Sequence, residues 1–336
     1  MHKLGTELQA LIEKECKGKT NIKLTVGTLV DGERTIQTFG ANGEIPNENY
    51  VYEIGSITKT FTTSLLAKYI HEGKMSLDDP ISKYVDGLDD SYFPTLRRLA
   101  THTAGYGYLP ATIWAGIKML LLPPLLGSRN GGVLPDCLRV DEKRMKSLLL
   151  ENKKEDKDYP WTYSNFGIGL IGYAIGKVSD KGYFDTMDDF LTNELEMPNS
   201  YTGPNSTKNL HGFTKKNKDI GNWEWEKTIM SSSGDISATA EDMLIYAQKH
   251  MNEELPYLAL THQQHTTVRK GISNSGLAWI MIGESNEIIA HNGGTGAFDS
   301  LLIIDKHKKL AYVVLSNYLI NPHKLYSTVL NEIKRS

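Results

Sequence analysis

Cysteine is nearly absent from this chain: Cys16 and Cys137 are the only two in 336 residues. A disulfide framework is thereby excluded, and the two thiols read as unpaired and buried. Charge of either sign is also short of any excess. Net charge is −3, and no basic run exceeds a few residues, so nucleic acid and anionic membranes are not expected as partners. Long apolar runs are missing too. The strongest, Ile113 to Leu126, contains Lys118 and is broken by Pro123-Pro124, too short and interrupted to span a bilayer. It reads as a buried helix or a lid over a cleft. The stretch Met1 to Glu7 lacks the apolar core of a signal peptide. The expectation is a cytoplasmic protein, or an extracytoplasmic one if a leader has been removed.

What is present is an ordinary globular composition, 40% apolar and 23% charged, long enough for one large or two joined domains. Residues 4–15 carry a short amphipathic helix pattern. Ile22 to Val30, Asp31-Gly32 and Thr35 to Phe39 read as a hairpin closed by an Asp-Gly turn. Helical patterns follow at Ile57 to Ile70, Leu96 to His102, Asp141 to Leu150, Phe166 to Val178 and Thr239 to His250. The last third changes character. Leu277 to Ile282, Glu287 to His291, Leu301 to Ile304 and Leu310 to Leu315 are short, β-rich and separated by turn residues, with a final helix over Leu325 to Ile333. Strands at both ends with helices between predict an α+β fold, one antiparallel sheet built from both termini and enclosing a mostly helical insertion. The expected division is 1–60 with 231–336 as the sheet domain and 61–230 as the helical one, with the active site at their junction.

Three short constellations carry possible chemistry. Tyr52-Glu53-Ile54-Gly55-Ser56-Ile57-Thr58-Lys59 is an extended lead-in, a glycine and a helix start. Lys59 follows Ser56 by three residues, which puts amine and hydroxyl on one face, a turn apart. A serine hydroxyl is a poor nucleophile until a neighbour takes its proton, and an amine at that spacing can take it. Tyr163-Ser164-Asn165 opens a helix. Its phenol serves as a base only if cations lower its pKa, and Asn165 has the donor and acceptor to grip an amide. His291-Asn292-Gly293-Gly294 ends a strand, where glycines let a substrate approach the backbone.

In that order, the three motifs resemble those of the serine β-lactamase and penicillin-binding protein superfamily. The similarity is greatest to its branch of class C β-lactamases, DD-peptidases, D-aminopeptidases and esterases. Leu77-Asp78-Asp79-Pro80, Leu99 to Gly105, Thr239-Ala240-Glu241-Asp242, Gly276 to Trp279 and Val314 to Asn317 are similar to further segments of that superfamily. The resemblance implies a β-lactamase/transpeptidase-like fold and an acyl-enzyme mechanism without metal or cofactor. Ser56 would attack a carbonyl, Lys59 and Tyr163 would share its proton, and either of the two can be the base. Asn165, His291 and Gly293 would bind substrate, and the backbone N–H groups of Ser56 and Gly294 would form the oxyanion hole.

Two departures from the family pattern matter. His291 stands where many members have lysine, and an imidazole offers a substrate carboxylate only a weak, pH-dependent field. Ala104 stands where serine is usual, with a structural effect expected. The implied partner is a small molecule or short peptide: a D-amino-acid peptide or β-lactam first, a short acyl ester second. A non-catalytic binding or scaffold protein on the same fold is the alternative of another class. The Leu109 to Pro135 insertion is expected to border the cleft. Gly167-x-Gly169-x-x-Gly172 matches a dinucleotide fingerprint in form, but no apolar strand precedes it, so it reads as helix glycines allowing close packing. His262 and His265 read as neighbours in a helix, near enough to touch a metal but without further ligands.

Overall fold

The hairpin forms where the Asp-Gly turn demands it. Asp31 and Gly32 take φ of 49° and 87°, both left-handed, the conformation that matches the twist of the strands they join. A computed structural model describes residues 3–108, 134–203, 209–225 and 228–335. After helix α1 (Thr6–Cys16), the hairpin strands are β1 (Leu24–Val30) and β2 (Glu33–Gly40), and β3 (Gly43–Ile45) edges them. β4 (Val51–Glu53) leads into a 3-10 turn, Gly55–Ile57, and then α2 (Thr58–His71). Helices α3 (Leu96–Ala100), α4 (Glu142–Glu151), α5 (Asn165–Val178) and α6 (Gly182–Asp189) follow. A second 3-10 turn, Ile229–Ser233, precedes β5 (Ser237–Thr239), α7 (Ala240–Asn252) and α8 (Leu258–Thr261). The chain ends in β6 (Thr266–Arg269), β7 (Ser273–Ser275), β8 (Ile280–Ile282), β9 (Ile288–Gly294), β10 (Asp299–Asp305), β11 (Leu310–Ser316) and α9 (Pro322–Arg335).

The main sheet runs β3-β2-β1-β11-β10-β9-β8-β7-β6, antiparallel throughout, so strands from both ends of the chain do meet in one sheet. Its central strands are buried on both faces, and alternation sorts their residues. Val26, Leu301, Ile303, Tyr312 and Val314 pack under α1 and α9, against Leu8, Ile12, Val329 and Ile333. Leu29, Leu302, Ile304, Val313 and Leu315 face the other way and join a larger core containing α2, α5 and α7. Close packing there is exacting: a Cβ on Gly27 would stand 3.0 Å from the Leu244 side chain of α7.

Helix α2 lies inside that larger core. Its apolar stripe of Phe61, Leu65, Leu66 and Tyr69 is buried as the periodicity predicts, but so are Thr58, Lys59, Thr60, Thr62, Thr63 and Ser64. Buried hydroxyls need partners. Thr60 and Ser64 donate back to the Ile57 and Thr60 carbonyls, each at 2.8 Å, while Thr62 and Thr63 donate to the Ser232 and Leu277 carbonyls at 2.6 and 2.9 Å. The hydroxyls thus tie α2 to the segments around it.

Some expectations need correcting. The helix expected from Ile57 does not begin directly after Ser56. Ser56 sits within the preceding 3-10 turn, and α2 proper starts at Thr58. The strand expected over Leu277 to Ile282 begins only at Ile280, because the backbone N–H groups of Leu277 and Ala278 donate to Thr261 O and Ala100 O instead. His262 and His265 do not share a helix. His262 caps the end of α8 and hydrogen-bonds His250 and Glu253, whereas His265 enters β6, its N–H donating to Ser275 O. The Ile113 to Leu126 run and most of the 109–135 insertion lie outside the described residues. Among those described, no helix is long and apolar enough to cross a membrane.

Candidate active site

The site is assembled where the Gly55–Ile57 turn meets the end of β9 and the start of α5. Gly55 (φ 50°) lets the turn pass so close to β9 that a Cβ there would stand 2.7 Å from Gly294 N. On the opposite side, a Cβ on Gly293 would meet Ile54 O at 2.0 Å and Ser56 N at 2.9 Å. The two backbones touch, which brings the N–H groups of Ser56 and Gly294 to one place. Ser300, opposite Gly293 on β10, donates its hydroxyl to Ile54 O at 2.7 Å and pins the contact.

Ser56 is half-buried and reaches the pocket, while Lys59 is wholly buried beneath it. Lys59 Nζ lies 3.0 Å from Ser56 Oγ and donates to Ser233 O at 2.6 Å. Burial pushes the amine well below the usual lysine range. Tyr163 hydrogen-bonds Ser56 through its side chain, and its ring centroid is 4.9 Å from Lys59 Nζ. Burial raises the phenol above its ordinary pKa, against the opposing pull of the Ser56 hydrogen bond. Burial therefore disfavours charge on both groups that flank the hydroxyl.

Aromatic rings hold Tyr163 in place: Tyr108 stacks on it at 5.6 Å, and His102 and His291 lie 4.9 and 6.1 Å away. His102 Nδ1 accepts the Ser164 N–H at 3.2 Å, and the Ser164 hydroxyl caps α5 by accepting Gly167 N–H. Two residues past Tyr163, Asn165 lines the pocket and donates Nδ2–H to Tyr108 O at 3.1 Å.

His291 is buried, and burial lowers its pKa to about 3. Its Nδ1 stands 2.7 Å from Asn292 O, and a carbonyl can only accept. Nδ1 therefore carries the proton and Nε2 the lone pair. The ring is uncharged across the ordinary pH range, so the expected weak field toward a carboxylate is replaced by plain hydrogen bonding.

Ser56 opens on a pocket of about 150 Å³ whose wall includes Tyr108, Leu138, Asn165, Trp223, Trp225, Ser233 and Gly294. The structure thus gathers Ser56, Lys59, Tyr163, Asn165, His291, Gly293 and Gly294 around one point. Sequence reasoning missed Ser233, whose carbonyl holds the lysine, and the Trp223 and Trp225 wall. The tryptophan pair, two residues apart in a polar stretch, gave no local sign of its destination. The Gly167, Gly169 and Gly172 series is packing: a Cβ on Gly172 would stand 2.3 Å from Ser232 Cβ.

The Beta-lactamase family matches residues 21–327. The chain belongs to that family. It is 24% identical to the D-alanyl-D-alanine-carboxypeptidase/endopeptidase AmpH of Escherichia coli K12, over 94% of this chain and 84% of that one. It is 24% identical to a Beta-lactamase of Providencia stuartii, over 73% of this chain and 59% of that protein. A class C beta lactamase of known structure superposes with a TM-score of 0.78 at 22% identity, over 98% of this chain and 97% of that one. The family and the fold are those of serine hydrolases, and the α+β architecture read from the sequence is this class C-like fold.

Proposed function

We propose that this family member is a serine hydrolase that cleaves an amide bond through an acyl-enzyme, its substrate a D-amino-acid peptide or a β-lactam. The observation that carries the reading is Lys59 Nζ at 3.0 Å from Ser56 Oγ, buried and held by a neutral carbonyl. An amine so placed keeps its lone pair near neutral pH and is the base. Lys59 takes the Ser56 proton as Oγ attacks the substrate carbonyl. Charge developing on the carbonyl oxygen meets the N–H groups of Ser56 and Gly294. Tyr163, protonated and hydrogen-bonded to Ser56, hands a proton to the leaving nitrogen and regains it through Lys59. Water then enters, is deprotonated by the same pair, and releases the acid. Asn165 orients the substrate amide, and His291 Nε2 accepts a hydrogen bond from it.

Support comes also from the family match and from a relative named as a carboxypeptidase/endopeptidase. A second reading, hydrolysis of a short acyl ester, is favoured by the uncharged His291, which gives a carboxylate-bearing substrate no cation. Intact-mass measurement after exposure to a penicillin and to a fluorophosphonate tests both. The proposal expects a covalent adduct that Ser56→Ala abolishes, then turnover of D-amino-acid anilides or a cephalosporin above that of acetyl and butyryl esters. No adduct with either reagent sinks the serine hydrolase. Faster ester turnover selects the second reading.

A further inference from the structure

Charge is unevenly placed on this molecule. Residues 14–23 and 214–218 hold seven of its 37 basic residues against Glu15 alone of its 40 acidic ones. Lys14, Lys17, Lys19 and Lys23 belong to the first segment, Lys215, Lys216 and Lys218 to the second. The segments meet at Asn21 and Asn217, 196 positions apart. Neither the net charge of −3 nor a search for basic runs shows them as one, which is why the sequence pointed away from an anionic membrane. Asn217 joins them. Its side chain accepts the Asn21 N–H at 3.4 Å and donates to Thr20 Oγ1 at 3.0 Å. It has φ 58°, a left-handed conformation that asparagine tolerates, in a turn closed by its own N–H on Thr214 O at 2.8 Å. With Asn217 turned toward the neighbouring segment, Lys215, Lys216 and Lys218 stay exposed, as do Lys14 and Lys17.

These ammonium groups have no carboxylate to answer them. Among the described residues none of the seven forms an ion pair. Lys19 donates to Glu15 O and lies 4.6 Å above the Tyr318 ring, both neutral partners. The acids that flank the segments in sequence are engaged elsewhere: Glu13 accepts from Gln9 at 3.0 Å, and Asp219 faces His211 at 2.8 Å. Unopposed like charges at one place raise the local potential and draw anions to it. Three observations say which anion. All seven residues are lysines, point charges without the planar fork that arginine brings to a single phosphate in fixed geometry. The rings at hand, Tyr318 and Phe213, are buried and half-buried, so neither offers a platform for a nucleic-acid base. The loop also stands clear, since Gly18 has φ 72° and nothing within 4 Å of a Cβ added there. Raised point charges suit a broad anionic plane better than a strand threaded through a groove.

We propose that segments 14–23 and 214–218 are a docking face for a lipid surface carrying anionic headgroups. This face does not depend on the hydrolase reading. It does orient the molecule. Leu24, next after the first segment, pairs with Ser316 of β11, Ser316 with Asp299 of β10, and Asp299 with Gly294 of β9. Lys215 is near enough to Asp299 for its charge to oppose the upward push of burial on that carboxyl. The lysines therefore sit at the end of the sheet that carries Gly294, and docking turns that end to the lipid.

The test is flotation of the full chain with phosphatidylcholine vesicles, plain or with about 30% phosphatidylglycerol to supply an anionic surface. At low salt the wild type partitions at least about tenfold better onto the anionic vesicles. Salt at about 1 M removes the difference, because screening then acts within about 3 Å. Each lysine near such a surface is worth roughly fivefold in partition. Lys215→Glu with Lys216→Glu therefore lowers binding at least about tenfold, as does Lys14→Glu with Lys17→Glu. Lys143→Glu with Lys270→Glu makes the same charge change on α4 and in the β6–β7 turn, and stays within about twofold of the wild type. Should a reversal variant fail to fold by circular dichroism, Lys215→Gln with Lys216→Gln takes its place, with a loss of about fivefold or more. No preference for anionic vesicles in the wild type, or equal losses in the patch and control variants, overturns the docking face. Tighter binding to a short DNA duplex than to the vesicles assigns the lysines to nucleic acid and overturns it as well.

Discussion

Lys59 Nζ and Ser233 O stand 2.6 Å apart, an amine held by a neutral carbonyl where an ion pair would have kept it charged. The neutral partner and the burial both disfavour charge on the amine, as the proposed role of base requires.

Replacing Lys59 by arginine, which stays protonated at any working pH, is expected to slow acylation roughly 10²–10⁴-fold. Lys59→Met should lose as much. In the wild type, labelling should climb with pH to a plateau reached well below the ordinary lysine pKa, because burial lowers it. Rates of fluorophosphonate labelling between pH 5 and 10 check this. A limb that rises only above pH 10 contradicts it.

Gly55→Ala combines a left-handed backbone with a Cβ 2.7 Å from Gly294 N. The strain alone is about 1–3 kcal/mol, and the clash pushes β9 away from the turn. Thermal unfolding and acylation rate should both fall. Gly32→Ala is the control: its φ is 87°, yet nothing lies within 4 Å of the added Cβ, so the fold weakens slightly and acylation stays as it was.

His250 and His262 hydrogen-bond each other at 2.8 Å inside the core, and burial lowers the pKa of both below the usual 6.5. Groups whose folded pKa is depressed give stability that is present above about pH 6.5 and lost as pH falls below it, by up to about 1.4 kcal/mol per pH unit for each. Urea unfolding at pH 7.5, 6 and 5 should show this loss. His250→Gln should be less stable at pH 7.5 but lose less on acidification. An equal slope in both proteins refutes the assignment.

Glu53 works in the opposite direction. Burial raises its pKa from 4.5 to about 7. The stability it contributes is complete below pH 4.5 and declines as pH climbs through 7, again by at most about 1.4 kcal/mol per unit. Glu53→Gln carries no such penalty, so the difference in unfolding free energy between variant and wild type should shift in the variant's favour from pH 5 to 8. Asp235 is also raised to about 7, first by burial and in part by the Glu53 charge, so Glu53→Gln relieves it too and moves the difference in the same direction.

What the sequence disclosed was local or patterned. Ser56 and Lys59 declare themselves because one helical turn fixes their separation, and Asp31-Gly32 because a two-residue turn needs left-handed residues. The strands β9, β10 and β11 are legible from apolar runs between turns. Their joining with β1 in one sheet is legible from element order, strands at both ends with helices between, although the register that sets β11 against β1 is not. Legibility ended where a residue's role depends on what lands against it. Trp223 and Trp225 become a wall only through Glu53, Gly234 and Gly296. Thr62 and Thr63 look like a solvated face of α2 and are instead its ties to Ser232 and Leu277. Ala278, with φ 61° and its N–H given to Ala100, cut short a strand that its apolar neighbours suggested.

The seating of β1 between β2 and β11 has a kinetic corollary. As the chain leaves the ribosome, the hairpin can close at once, but its inner edge must wait for residues 310–316, almost three hundred positions later. Until then that edge is a bare row of amide groups open to mispairing. The sheet therefore cannot zip shut until residues 310–316 have been made. A nascent chain stalled short of β11 should remain a client of chaperones however complete its catalytic motifs.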